Sequence, residues 1–137
     1  MRGLVNHIDL TVKDPAASRP FYEAVLAHMG YRVSEVHERG IDFDLLTPDG
    51  VFASVGLIKA SEAGARHPHD RFSPGLHHLA WSAEDRADVD ALHELLLRIG
   101  ATILDAPAEY PRYGSGYYAV FFADPDGLKL EYVHWPK

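Results

Sequence analysis

The sequence contains no cysteine. It can therefore form no disulfide bond, thiolate metal site or cysteine nucleophile, and a transition metal would have to be bound by histidines and carboxylates. The chain also lacks an apolar run of the roughly 18 residues that a membrane-spanning helix needs, and its first residues lack a signal-peptide pattern. These absences predict a cytoplasmic protein with no membrane partner.

Positive charge is scarce as well. Lys and Arg number 13 against 20 Asp and Glu, which gives a formal net charge of −7. Without a basic patch, neither a nucleic acid nor an anionic membrane is an expected partner. The length of 137 residues and the hydrophobic fraction of 47% are typical of one globular domain, predicted to span residues 1–137. The chain contains nine histidines, a large number of potential metal ligands for this length.

A faint internal repeat divides the chain. The segment "NHIDLTVKDPAAS" (6–18) aligns with "HHLAWSAEDRADV" (77–89) and pairs His7 with His78. Each segment leads into an amphipathic helix with an aspartate at its start, Asp14 in the first copy and Asp85 or Asp88 in the second. Repeats of this kind indicate a duplicated structural unit.

Strand-like segments follow each predicted helix. They lie at 31–36, 41–46 and 51–58 in the first copy and at 101–104, 117–122 and 128–135 in the second. The turns "TPDG" (47–50) and "DPDG" (124–127) join the last two strands of each copy. The prediction is an α+β fold of two βαβββ modules, about 1–58 and about 76–137, with a linker at about 59–75 and an inserted loop at 105–116.

Alternation along the strands separates the adjacent histidines of "GLHHLAW". Leu79 and Trp81 should face the helix together with His77, which sends His78 to the open face. The same alternation sends His7 to the open face of the first strand and Glu131 to that of the last. Two histidines and a carboxylate from three strands make a metal site for Fe, Mn, Ni, Zn or Co.

The segments "HIDLTVKDPAASRPFYEAVL", "HHLAWSAED" and "DPDGLKLEYV" resemble the vicinal-oxygen-chelate superfamily. This superfamily includes glyoxalases, extradiol dioxygenases and bleomycin-resistance proteins. The resemblance implies a cup-shaped mixed sheet with helices packed outside, a homodimer, and one divalent metal ion held by His7, His78 and Glu131. The site could lie within one chain or be shared across a module-exchanged dimer.

One position departs from the glyoxalase I pattern. Aligning the two Pro-Asp-Gly turns places Ser54 opposite Glu131, where glyoxalase I resembles the methylmalonyl-CoA epimerases in using Glu or Gln as a further ligand.

The expected function is that of a metal-dependent enzyme with lyase, isomerase or ring-cleaving dioxygenase chemistry on a small oxygen-chelating substrate, with Glu131 as catalytic residue. The alternative is a metal-free small-molecule binding protein of the bleomycin-resistance type.

Residues on the predicted open faces and in the inserted loop are candidates for the substrate pocket. The loop also carries Tyr110, Arg112 and Tyr117, which could line or cover the site. The pocket candidates are Asp9, Thr11, Phe52, Ser54, Tyr113, Ser115 and Trp135.

Overall fold

The computed structural model describes residues 2–137, and the chain divides after His67 into two compact units. Each unit contains one α-helix and one four-stranded mixed sheet. No helix in this stretch of chain has the length and apolar character needed to cross a membrane. The predicted α+β class and the βαβββ order of both modules are confirmed.

The first unit consists of the elements β1 (His7–Val12), α1 (Pro15–His28), β2 (Arg32–His37), β3 (Gly40–Leu46) and β4 (Phe52–Lys59). Its sheet has the strand order β1-β4-β3-β2. Strands β1 and β4 are parallel, whereas the other neighbours are antiparallel. Leu10 and Val12 of β1 are buried while Asp9 and Thr11 are exposed, as expected for a strand with one face against a helix.

The second unit consists of the elements β5 (Leu79–Ser82), α2 (Arg86–Arg98), β6 (Thr102–Glu109), β7 (Tyr118–Ala123) and β8 (Lys129–His134). It repeats the topology of the first with the strand order β5-β8-β7-β6. Strands β5 and β8 are parallel, and the remaining neighbours are antiparallel. Leu92 and Leu96 of the helix are fully buried, as is Leu130 of the sheet.

Both helices begin at the predicted aspartates. The Asp14 carboxylate accepts a hydrogen bond from the Ala16 N–H at 3.1 Å, with Pro15 in the first helical position. The Asp85 carboxylate accepts one from the Asp88 N–H at 2.8 Å, so Asp85 is the N-cap of α2 and Asp88 lies in its first turn. These bonds satisfy backbone donors that the helix itself leaves unpaired.

Three predicted boundaries are corrected by the structure. Strand β6 runs on to Glu109, so the first part of the predicted loop at 105–116 is strand, with irregular pairing around Asp105 that is typical of β-bulges. The predicted linker begins with Lys59, which still belongs to β4, and contains a short 3-10 helix at Gly64–Arg66. Strand β5 begins only at Leu79, which has consequences for the two histidines before it.

Candidate active site in the second unit

A cavity of about 470 Å³ lies against the second sheet, on the face turned away from α2. Its volume falls in the range of about 300–1,000 Å³ that is common for small-molecule sites. Four aromatic side chains, two histidines, two basic side chains and one carboxylate surround it. The lining residues are His77, His78, Arg112, Tyr113, Tyr117, Phe121, Lys129, Glu131 and Trp135.

The carboxylate of Glu131 is at the base of this cavity. Glu131 lies in the middle of β8, opposite Ala80 of β5 and Phe121 of β7. The neighbouring Tyr132 points to the other face, where its hydroxyl donates to an Asp88 oxygen of α2 at 2.7 Å. Alternation therefore directs Glu131 to the cavity, as the sequence predicts.

Glu131 is only 2% exposed, and a buried carboxylate is costly unless it is well hydrogen-bonded. The Tyr117 hydroxyl donates to its Oε1, and His78 Nε2 lies 3.1 Å from its Oε2. Within residues 2–137, no Lys or Arg forms a salt bridge with this carboxylate. Its negative charge is stabilised by a tyrosine and a histidine, both of which line the cavity.

Tyr117 is held in its protonated form. Burial first, and then the hydrogen bond to Glu131, raise the pKa of this phenol above its usual range. Tyr117 therefore remains a hydrogen-bond donor throughout the physiological pH range. It fixes one oxygen of the carboxylate and leaves the other oriented towards His78.

The structure corrects the prediction for His77. The sequence places this ring on the packed side of the sheet, yet it is exposed, and its Nδ1 lies 2.7 Å from the Nδ1 of His78. Both histidines precede the first residue of β5, so strand alternation does not separate them. Partial desolvation, followed by the charges of His78, Lys129 and Arg71, lowers the pKa of His77, which favours a neutral ring that can accept or donate one hydrogen bond.

His78 and Glu131 have the separation expected of two ligands on one metal ion. Metal–nitrogen and metal–oxygen bonds of about 2.0–2.2 Å at right or tetrahedral angles place the donor atoms about 3–3.5 Å apart. The observed 3.1 Å between Nε2 and Oε2 agrees with this geometry. If His78 Nε2 held a metal ion, Nδ1 would carry the proton and could donate a hydrogen bond to His77, as the second ring nitrogen of a metal-bound histidine commonly donates to a nearby acceptor.

The third predicted ligand, His7, belongs to the first unit. It is the first residue of β1, is exposed, and its Nδ1 lies 2.9 Å from Oδ1 of Asn6. Across residues 2–137, no three His, Cys, Asp or Glu side chains form a group able to hold a metal ion. The structure thus brings together two of the three predicted ligands.

The predicted pocket residues divide between the two units. Tyr113 and Trp135 line the cavity, but Ser115 is not among its lining residues. In the first unit, Asp9 and Thr11 are on the exposed face of β1, and Ser54 of β4 is directly opposite His7. Phe52 is 42% exposed and lines a different groove, beside Leu4 and Val5.

Several residues that line the cavity are not among the predicted pocket residues. Alternation in β8 already predicts Lys129 on the open face with Glu131, although Lys129 is not among the predicted pocket residues. Arg112 and Tyr117 were recognised only as parts of a loop that could cover the site. Phe121 gave no signal, because its strand is apolar on both faces.

Comparison with known proteins agrees with this architecture. Residues 4–132 match the family model for the glyoxalase/bleomycin resistance protein/dioxygenase superfamily. The uncharacterized protein YqjT of Bacillus subtilis is 33% identical over 129 residues, which cover 94% of this chain and 97% of that protein.

Solved structures show the same fold. A glyoxalase candidate from Bacillus halodurans is 26% identical and superimposes with a TM-score of 0.81. The alignment covers 98% of this chain and 97% of that chain. A lactoylglutathione lyase from Agrobacterium tumefaciens is 19% identical, with a TM-score of 0.65 and coverage of 98% and 94%; at that identity the likeness concerns the fold alone. The chain belongs to the glyoxalase/bleomycin resistance protein/dioxygenase superfamily.

Proposed function

We propose that this protein is a divalent-metal-dependent enzyme acting on a small oxygen-chelating substrate. The observation that carries the proposal is the convergence of His78 Nε2 and the buried Glu131 Oε2 at 3.1 Å inside a cavity of substrate size. His7 is the proposed third ligand, supplied by the first module of the same chain or of a second copy. Fe, Mn, Ni, Zn and Co are the metals that such a ligand set suits.

The ion would supply Lewis acidity to one or two substrate oxygens. The chain's own residues would supply the rest. Tyr117 holds Oε1 of Glu131, so the carboxylate keeps one orientation, and His77 would accept a hydrogen bond from Nδ1 of His78 while Nε2 of His78 holds the ion. The aromatic side chains around the cavity would exclude water from the substrate and orient its planar parts.

Glu131 is also the proposed proton acceptor. It is the only carboxylate among the residues that line the cavity. Its burial keeps water from competing for its oxygens, and a substrate bound against it would present its acidic protons at hydrogen-bonding distance. In this role the Tyr117 hydroxyl would donate to Oε1 and stabilise the charged carboxylate that accepts the proton.

The alternative of a metal-free binding protein is supported by one observation. The His78–Glu131 contact satisfies both side chains without an ion. A binder of the bleomycin-resistance type would need an acidic, aromatic groove for a cationic ligand. The second-unit cavity is aromatic, yet Arg112 and Lys129 line it, and this charge does not favour a cation.

The domain, assembly and location predictions form part of this proposal. Residues 1–137 would act as one domain made of two modules, and the protein would be a cytoplasmic homodimer. Size-exclusion chromatography with light scattering would measure the assembly. A module-exchanged site would require the dimer for metal binding, whereas a site within one chain would not.

Metal analysis of the purified protein tests the central proposal. We expect the wild type to bind one divalent ion per site, and His78→Ala to weaken that binding by more than about 100-fold because it removes a ligand. His69→Ala is the matched control, since His69 is exposed and outside the cavity.

A wild-type protein that takes up no Fe, Mn, Ni, Zn or Co on reconstitution would contradict the enzyme proposal and leave the binding protein. Equal loss of metal in the His69 and His78 variants would also contradict it. Circular dichroism of each variant would confirm that the fold is retained.

A further inference from the structure

The second-unit cavity is basic, although the protein as a whole is acidic. Arg112 and Lys129 line it, and Glu131 is its only carboxylate, whereas the chain carries a formal net charge of −7. A local field opposite in sign to that of the whole molecule selects ligands by charge. The cavity therefore has a feature that the metal proposal leaves unused.

Neither basic side chain is committed to a carboxylate. Lys129 Nζ lies 4.5 Å from the centre of the Phe121 ring, and the Arg112 guanidinium lies 4.7 Å from the centre of the Tyr113 ring. Arg112 also donates to the Tyr113 hydroxyl at 2.8 Å. Within the described chain, no Asp or Glu forms a salt bridge with either one, so their charges are available to a ligand.

The Glu131 charge offsets this field only in part, because one carboxylate faces two basic side chains. Its two oxygens already face Tyr117 and His78, and the side chain is almost fully buried. Lys129 is two residues earlier on the same face of β8, but it is not within salt-bridge distance of that carboxylate. A divalent ion at His78 and Glu131 would make the cavity more positive still.

The walls add a preference for shape. Tyr113, Tyr117 and Phe121 contact one another through Tyr110, and Trp135 packs against Tyr117 with 5.4 Å between ring centres. Rings in such a cluster bind a planar ligand ring by offset or edge contacts. Basic groups among aromatic walls suit a planar ring that carries a negative charge.

We propose that this cavity selects small aromatic carboxylates, whose charge is recognised by Lys129 and Arg112 and whose ring is recognised by the aromatic walls. The inference rests on the proposed function, because it names the substrate class of the same site. It also goes beyond it, since charge selection by these two residues does not require the ion.

An NMR titration tests the proposal directly. The chain has two tryptophans; Trp135 lines the cavity, while Trp81 of β5 is on the face turned to α2, opposite Tyr132. The Trp135 indole N–H signal, assigned with Trp135→Phe, therefore reports binding, and the Trp81 signal is an internal control. Chelator-treated, dialysed protein and metal-loaded protein would be titrated in parallel.

Benzoate, benzamide and benzylamine form a probe series of one ring, similar size and three charges, and acetate is the carboxylate without a ring. We expect benzoate to bind at least about tenfold more tightly than benzamide, which corresponds to about 1.4 kcal/mol. Benzylamine and acetate should bind more weakly than benzoate. This order should hold in the metal-free protein.

Variants assign the selection to its residues. Lys129→Gln should remove about tenfold of the benzoate affinity and leave benzamide unchanged, and Arg112→Gln should act in the same direction. Lys59→Gln is the matched control, because Lys59 is a strand-terminal lysine of β4 in the first unit. Its benzoate affinity should equal that of the wild type.

Binding of benzamide or benzylamine as tight as that of benzoate would overturn the proposal, as would the failure of all four probes to shift the Trp135 signal. An unchanged benzoate affinity in both Lys129→Gln and Arg112→Gln would overturn it as well. Failure of the metal proposal would appear separately, as absent metal uptake in a protein that still prefers benzoate. Metal uptake by a protein that does not prefer benzoate would contradict the charge selection alone.

Discussion

The two modules share one topology and differ in what their open faces carry. Their last two strands pair in the same register, with Leu46 opposite Phe52 in the first and Ala123 opposite Lys129 in the second. This correspondence places Ser54 at the position of Glu131 and Gly40 at the position of Tyr117. The second module thus holds the carboxylate and its hydroxyl donor, and the first holds neither.

The reason for the difference is visible at Gly40. A side chain at this position would run into the backbone carbonyl of Leu57 in the neighbouring strand, so only glycine fits. The first module cannot place a tyrosine where the second has Tyr117. The same fold therefore accommodates a tyrosine that donates to the buried carboxylate in the second module and leaves no room for that tyrosine in the first.

The first strands are also shifted relative to their sheets. His7 is opposite Ser54, while Ala80 is the residue opposite Glu131. His78 accordingly lies before β5, where its ring can reach along the sheet to Glu131. Aligned histidines of a repeat thus occupy different positions in their sheets. The variants below test what else differs between the two modules.

The largest expected effect comes from the carboxylate. Glu131→Gln keeps the shape and the hydrogen bond from Tyr117 but removes the charged ligand, so metal affinity should fall by more than about 100-fold. The matched change in the first module, Ser54→Ala, should alter it by less than about twofold. Isothermal titration with a divalent ion measures both, and equal losses would show that the modules contribute alike.

A smaller effect is expected from the group that orients the carboxylate. Tyr117→Phe removes the hydroxyl donor and should weaken metal binding by about tenfold, since partners of metal ligands contribute roughly 10–100-fold. Tyr110→Phe is the control, because Tyr110 belongs to the same aromatic cluster and does not line the cavity. If the Tyr117 and Tyr110 variants bind metal equally well, the orienting role assigned to Tyr117 is wrong.

The smallest effect concerns the helix starts, where the modules are most alike. Asp14→Ala and Asp85→Ala should each lower the free energy of unfolding by about 1 kcal/mol, measured by urea denaturation. The Asp85 variant should lose more, because its partner Asp88 also accepts from the Glu84 N–H at 2.9 Å and from Tyr132. A larger loss of unfolding free energy in Asp14→Ala than in Asp85→Ala would contradict the greater contribution expected from the Asp85 cap.

Much of the fold could be predicted because its signals are local. The aspartate caps, the Pro-Asp-Gly turns and the alternation of Leu10 and Val12 with exposed residues depend only on near neighbours. The placement of Glu131 followed from the same alternation. The cup shape and the contribution of His7 to the site stay predictions.

Prediction failed where the outcome depended on distant pairing. The length of β6, with its irregular register around Asp105, is set by β7. The start of β5 is set by its pairing with β8. Both histidines precede that start, so their rings are not turned to opposite faces and their Nδ1 atoms are in contact.

By itself, the sequence determined the duplicated βαβββ pattern, the helix starts and the face on which Glu131 lies, because hydrophobic periodicity and capping act over a few residues. Only the tertiary structure decided that Tyr117, His78 and His77 form a hydrogen-bonded chain around that carboxylate. It also brought Arg112 and Lys129 into one cavity. The contacts to Glu131 join residues 14 and 53 positions apart, and their geometry depends on strand register, which short-range patterns do not encode.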